Sequence, residues 1–575
     1  MTALLTDNLP LLAGAPNGIK KLRELILELA VRGKLVPQDP SDEPASELLK
    51  RIAEEKTRLV DEGKIKKQKP LAEIGEEEKP FDVPTNWEWV RLGEIAEIIR
   101  GVTYNKSDVS DAPLPEHAPL LRGNNINRTL NFDRPVYVPQ KIISEHQYIK
   151  AGDIVIAMSS GSADLVGKAA QATASFDGSF GAFCGVVRSR TSDLFQFFGC
   201  FFQTPLYRSR AAGHGKGIGI NNLQKSALEK LEIPIPPLAE QHRIVAKVDE
   251  LMALCDRLEA QQADAESAHA QLVQALLGSL TQAADAKDFA ANWQRLAEHF
   301  HTLFTTESSI DALKQTVLQL AVMGKLVPQD PSDEPASVYV GQIQAEKQRF
   351  LAQLKARKQK DLPAESKHEP PFELPGCWEW KTVDELLHVT GGVTLGRKLA
   401  DRKLVSKPYL RVANVQRGRL EMQHIKEVEV PEDEVEKYLL QGGDLLITEG
   451  GDWDKVGRTA IWCDQLSECL HQNHVFRARA FIAEWEPRWA EMYLNSAPAR
   501  EYFAGSSKQT TNLASINMTQ LRACAFPVPP FAEQRRIVAK VDQLMSLCDS
   551  LKARLADAEK LNKQLAAALV EQAVA

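Results

Sequence analysis

The eight cysteines include no CxxC pair, no apolar run approaches the ~20 residues of a membrane span, and the formal charge is −7 rather than strongly positive. Scattered thiols exclude a disulfide framework and a zinc ribbon. Cys463, Cys469, His471 and His474 are of zinc-binding type, but their spacing matches no common module, so no metal is expected. The missing positive charge excludes a globally basic partner of nucleic acid. It does not exclude a local patch, because DNA is met by surfaces and not by whole-chain sums. Met1–Leu12 has no basic residue ahead of its apolar patch and is interrupted by Asp7, so no secretory signal is expected and the cytoplasm is the expected compartment.

Signatures of catalysis are missing as well. Glu369-Pro-Pro-Phe372 has glutamate where an adenine-methyltransferase loop carries Asn or Asp, and no glycine-rich SAM-binding turn precedes it. Gly391-Gly-Val-Thr-Leu-Gly396-Arg397-Lys398 puts arginine where a P-loop needs its lysine, with no Ser or Thr after it. No Ser/His/Asp set or carboxylate pair stands at readable spacing. Catalysis and a resident cofactor are therefore not expected.

What is present is a duplication. With 575 residues, 43% hydrophobic and 26% charged, the chain is globular in composition and long enough for several packing units. Leu29 to Ser46 recurs as Leu320 to Ser337 with the single change of Arg32 to Met323, an offset of 291 residues. Trp87-Glu-Trp89 returns as Trp378-Glu-Trp380, and Gly152-Asp-Ile-Val-Ile156 as Gly443-Asp-Leu-Leu-Ile447, at the same offset. Pro236-Pro-Leu-Ala-Glu-Gln-His-Arg-Ile-Val245 returns as Pro529-Pro-Phe-Ala-Glu-Gln-Arg-Arg-Ile-Val538. Each half has near-identical ends and a divergent middle. Identical ends suggest one partner surface used twice, and divergent middles suggest two targets read by one scaffold.

The repeated ends carry helical periodicity. Ile244, Val248, Leu251, Cys255, Leu258, Gln262, Ala265, His269, Leu272 and Leu276 follow alternating steps of four and three, a heptad seam. Ile537 through Leu569 repeats it, with Asn562 in the place of His269. Polar residues in a seam fix register, so His269 and Asn562 are the expected register positions of two long helices that pair antiparallel. Such a pair would act as a spacer. A shorter helix opens each half, with Gly33 and Gly324 as its C-terminal stops.

The middles mix β-branched runs with Gly- and Asn-rich loops and read as compact α/β units. Arg122, Asn124, Asn125 and Arg128 in the first align with Arg411, Asn414 and Arg417 in the second. Arginine can fork onto guanine and asparagine onto adenine, so these are candidate base readers. Arg397, Lys398, Arg402, Lys403, Lys407, Arg411, Arg417 and Arg419 form a basic window opposed only by Asp401, a candidate phosphate patch. The loops before the long helices add Lys216, Asn221 and Asn222 in one copy and Lys508, Gln509 and Asn512 in the other.

Together these blocks resemble the specificity subunits of type I restriction-modification systems, over nearly the whole chain. The resemblance implies an α+β fold with two mixed α/β target-recognition domains, at 81–235 and 372–528, separated by two long coiled-coil helices. Residues 1–80, 236–371 and 529–575 would be the repeated helical segments. It implies double-stranded DNA as ligand, each domain reading half of a bipartite site. The implied partners are two methyltransferase subunits and motor-nuclease subunits, with SAM, ATP and Mg held by those partners. A self-contained methyltransferase or nuclease, or a coiled-coil scaffold without DNA affinity, are the alternatives.

Overall fold

The computed structural model describes residues 12–63, 65, 69–162, 165–214, 221–353, 362, 370–396, 402–451, 455–510 and 513–574. The chain divides into two units, the first Met1–Ala265 with Asp557–Ala575, the second Glu266–Ala556.

In the first unit, strand Glu88–Arg91 pairs antiparallel with Glu232–Ile235, which brings the entry and exit of the divergent region side by side. Between them lies a four-stranded antiparallel sheet in the order Ala96–Arg100, Cys184–Ser189, Ile154–Ala157, Ala169–Gln171. A three-stranded sheet has His117–Leu121 at its centre, antiparallel to Val136–Pro139 and parallel to Ser179–Phe180. Ile154, Val155 and Ile156 are all buried, so both faces of that strand are covered and its sequence is continuously apolar instead of alternating.

The second unit repeats the plan from different residues. Glu379–Thr382 pairs with Ala525–Val528, and Leu387–Thr390, Val475–Ala480, Leu445–Thr448 and Thr459–Ile461 form the four-stranded sheet. Leu404–Leu410 lies between Lys426–Pro431 and Leu470–His471 in the three-stranded one. The repeated Gly-Asp turn has one task in both. Asp153, buried, accepts two hydrogen bonds from Arg188 (2.8 and 2.6 Å) and one from the Lys150 amide (2.7 Å). Asp444 does the same with Arg479 (2.6 and 2.6 Å) and the Gln441 amide (2.8 Å).

The near-identical ends also meet inside each unit. Glu240, in the first turn of the helix Leu238–Thr281, is buried and accepts from the Trp87 indole at 2.9 Å and the Gln38 amide at 2.6 Å. Arg243 pairs with Asp42 through both terminal nitrogens (3.1 and 2.5 Å). Gln241 donates to the Pro236 carbonyl at 2.9 Å, closing the Pro-Pro entry. In the second unit Glu533 takes Trp378 (3.0 Å) and Gln329 (2.7 Å), Arg536 takes Asp333, and Gln534 donates to Pro529 (3.0 Å). Gly33 and Gly324 stop the short helices at φ +68° and +70°, and a Cβ there would sit 2.6 Å from Pro84 or 2.5 Å from Pro375. Only glycine suits both demands.

Each long helix has 44 residues, Leu238–Thr281 and Phe531–Val574, about 66 Å at ~1.5 Å per residue. Ile244, Val248 and Cys255 are buried in the first unit's core, where Ala566 also lies with Leu569 and Val570 against it. Ile537, Val541 and Cys548 are buried in the second unit's core together with Val273, Leu277 and Leu280. Within each core the start of one long helix meets the end of the other, as opposed helices require.

The uninterrupted seam is corrected. Residues 259–268 and 556–565 are exposed, including the seam positions Gln262, Ala265, Ala558 and Asn562. Burial resumes at Val273 and Leu277 in place of Leu272 and Leu276, and Leu272 is 52% exposed. A straight helix of 3.6 residues per turn drifts off a 3.5-residue repeat, so a seam written in heptads changes face over this length. His269 does not serve as a register position. Its Nε2 lies 3.2 Å from the Thr302 carbonyl in the second unit, and Asn562 is exposed.

Glu240→Ala leaves the buried Trp87 indole without an acceptor, while the exposed Gln38 amide keeps the Gly33 carbonyl, at a cost of about 1–3 kcal/mol. Amide hydrogen exchange should accelerate across residues 33–46, and unchanged exchange there would contradict the clamp.

The second unit should also be the more acid-sensitive. Burial and the Arg477 and Arg479 guanidinium groups push His388 down from 6.5 to about 4, and burial does the same to His471. Both stay uncharged in the fold but gain protons when unfolded. Their stability contribution is therefore complete above pH 6.5 and drains away as pH falls toward about 4. Glu97 and Phe180 hold the matching places in the first unit. Urea midpoints at pH 7 and 5, read by exchange labelling of each unit's peptides, should fall more for the second unit.

Candidate nucleic-acid interface

The first candidate readers sit where strand His117–Leu121 ends in the short turn Gly123–Asn125. Asn125 is 2% exposed; its Oδ1 accepts the Arg122 amide (2.9 Å) and its Nδ2 donates to the carbonyls of Asn131 (2.9 Å) and Asp133 (3.1 Å). Asn414 repeats this, accepting from the Arg411 amide (3.0 Å) and donating to the Glu421 carbonyl (2.9 Å). Neither amide is available to adenine, and the reading assigned to them is corrected. Short polar side chains satisfy nearby backbone groups readily, and here that local chemistry has taken the residue inward.

Arg122 and Asn124 are exposed on the same turn. Arg128 is exposed and lies against the first long helix, 3.6 Å from Asp256. Arg411 is half-buried and donates to the His424 carbonyl at 3.2 Å, while Arg417 reaches Asn495 at 3.5 Å. Arg419 is exposed on the short strand Arg419–Leu420.

The basic window is not the one-sided patch its sequence suggests. Leu404–Leu410 runs antiparallel to Lys426–Pro431, and the chain beyond that partner is acidic. Arg402 Nη2 donates to both Asp433 oxygens (2.6 and 2.6 Å) and its Nη1 to Glu434 (2.5 Å). Lys403 pairs with Glu432 at 2.7 Å and Lys407 with Glu468. Asp401 is the one acid near these residues in sequence; strand pairing brings in the others. Arg397, Lys398, Lys216 and Asn512 lie outside the described residues.

The loops before the long helices are tied to the ends of the central strands. Asn221–Asn222 pairs with Ser159–Ser160, and Ser159 Oγ donates to Asn222 Oδ1 at 2.7 Å. In the second unit Lys508–Thr510, which holds Lys508 and Gln509, pairs with Leu513–Ser515, which pairs with Gly450–Gly451. Beside these hairpins stand Phe183, 65% exposed, and His474, whose Nδ1 lies 2.6 Å from Glu449. Sequence reasoning missed both. The signal was there as a matched position, 291 residues apart, where an apolar ring faces a polar one.

The Cys463/Cys469/His471/His474 group does not converge. Cys469 and His471 are buried, His471 Nδ1 lies 2.7 Å from the Val475 carbonyl, and Cys463 is exposed. Among the described residues no set of three His, Cys, Asp or Glu is placed to hold a metal. The carboxyls that burial raises, Glu240, Glu491 and Glu533, are all engaged by structural donors.

Two copies of one module with different exposed side chains, on a shared helical frame, define a two-site recognition protein. The chain belongs to the type I restriction-modification DNA specificity family, whose description, Type I restriction modification DNA specificity domain, matches residues 84–266 and 375–560. It is 38% identical over 583 residues to the type I restriction enzyme EcoEI specificity subunit of Escherichia coli, covering 97% of this chain and 94% of that protein. Identity to the EcoAI specificity subunit of the same species is 39% over 582 residues, with the same coverage. The EcoKI specificity subunit of E. coli strain K12 is 29% identical over 483 residues, 83% of this chain and 86% of that protein.

Asn125→Ala and Asn414→Ala should behave as stability variants, each losing about 1–3 kcal/mol. Denaturant unfolding should show the loss while the DNA motif read by folded protein stays unchanged; an altered motif at full stability would return these residues to the interface.

Proposed function

We propose that this chain is the non-catalytic specificity subunit of a type I restriction-modification complex. Each module reads one part of a bipartite DNA site, and the long helices set the gap. The carrying observation is the duplicated frame with different exposed chemistry at matched positions. The repeated clamp holds both modules to the same helix geometry, and Phe183 against His474 or Ser159-Ser160 against Gly450-Gly451 gives each its own surface. Chemistry then belongs to the partners. Two modification subunits would bring SAM and methylate adenine, and motor-nuclease subunits would bring ATP and Mg.

The test is methylation-resolving sequencing of DNA from cells that carry the complete complex, with and without this chain. A bipartite adenine motif should vanish with the chain. Replacing residues 81–235 by those of another specificity subunit should change one half of the motif and leave the other. No motif despite an active modification subunit would sink the proposal, and SAM binding by the isolated chain would favour a self-contained methyltransferase.

A further inference from the structure

In both modules the chain makes the same tight passage from the three-stranded to the four-stranded sheet. After Ser179–Phe180 the Cys184 amide donates to the Gly181 carbonyl (2.7 Å), and the Phe183 carbonyl accepts the amides of Met158 (2.8 Å) and Ser159 (3.1 Å). After Leu470–His471 the Val475 amide donates to the Gln472 carbonyl (2.9 Å), and the His474 carbonyl accepts the Glu449 amide (3.0 Å). The backbone at this position is pinned by hydrogen bonds, yet the side chain is directed outward: Phe183 is 65% exposed and the His474 side chain 55%.

Leaving a phenylalanine ring in water forgoes the gain that burial would bring. A mobile loop could fold such a ring away. Here the bonded carbonyl holds the turn in place, so the ring is presented. The surroundings differ in kind as well. Ser159 and Asn222 place a hydroxyl and an amide beside Phe183, whereas Gly450 and Gly451 in the matching place offer no side chain, and Ala514, Ser515 and Lys455 close over them. With Nδ1 held against Glu449 at 2.6 Å, the imidazole has Nε2 left for an external group.

We propose that this turn position is a base-contacting, specificity-determining position in each module. Phe183 meets an apolar base surface, a thymine methyl or the face of a base at an opened step, and His474, oriented by Glu449, bonds a base edge. The assignment rests on the reading of the chain as a DNA-recognition subunit. Phe183 and His474 then discriminate in different halves of the site.

The complete complex is expressed with wild-type chain, Phe183→Ala, Phe183→Tyr or His474→Ala, and genomic methylation is read at single-base resolution. Both residues are exposed, so the variants should accumulate like wild type. Phe183→Ala should relax preference at one base of one half-motif by roughly tenfold or more, with the other half intact. Phe183→Tyr should keep the preference, and His474→Ala should relax the opposite half. Unchanged motifs in both alanine variants overturn the assignment, as does equal loss in both halves, which would mark an assembly defect. A wild-type complex that yields no bipartite motif overturns the underlying DNA-recognition reading instead.

Discussion

A buried glutamate in the first turn of each long helix is the constraint around which both units are arranged. Glu240 and Glu533 each join a tryptophan indole and a glutamine amide, and so tie the opening loop, the module's first strand and the long helix into one joint. Burial favours protonation of these carboxyls while the two donors oppose it. The joint is thus a costly group made tolerable by full hydrogen bonding. Loss of the glutamate leaves a buried indole without a partner in either unit, which fits the near-identity of segments roughly two hundred residues apart in sequence.

That joint changes the meaning of the repeat. Identical ends suggested a surface presented twice to a partner. Much of the identity serves internal bonding: Gln38 bonds Glu240, Arg243 bonds Asp42, and Gln241 bonds the Pro236 carbonyl. Fixed joints and the paired strands Glu88–Arg91 and Glu232–Ile235 close each module on itself. The sequence between is then free to vary at its exposed turns without disturbing the frame.

The long helices, their proline entries, the glycine stops and the buried central strands were all legible in sequence, because each follows from a short-range rule of periodicity, φ or burial. The surface was not. Asn125 and Asn414 carry suitable chemistry for a base, but their burial depends on carbonyls that only the fold brings near. Arg402 and Lys403 look like a cationic patch until strand pairing sets Glu432, Asp433 and Glu434 beside them. The seam failed for a different reason: heptad spacing persists in the letters after helical drift has carried those residues to another face. Phe183 stands out in sequence only against its matched position His474, and its exposure and pinned carbonyl come from the fold.

The path of the long helices has a temporal consequence. The first unit's core includes Ala566, fully buried, with Leu569 and Val570 packed against it. A ribosome making this protein emits most of that core early but cannot supply these residues until the entire second module has left the exit tunnel. The first module must therefore wait in an unfinished state, its helix face open, while the rest of the chain is synthesised. Synthesis order and folding order are decoupled: the second unit's core needs chain only as far as Leu555, the first unit's as far as Val570.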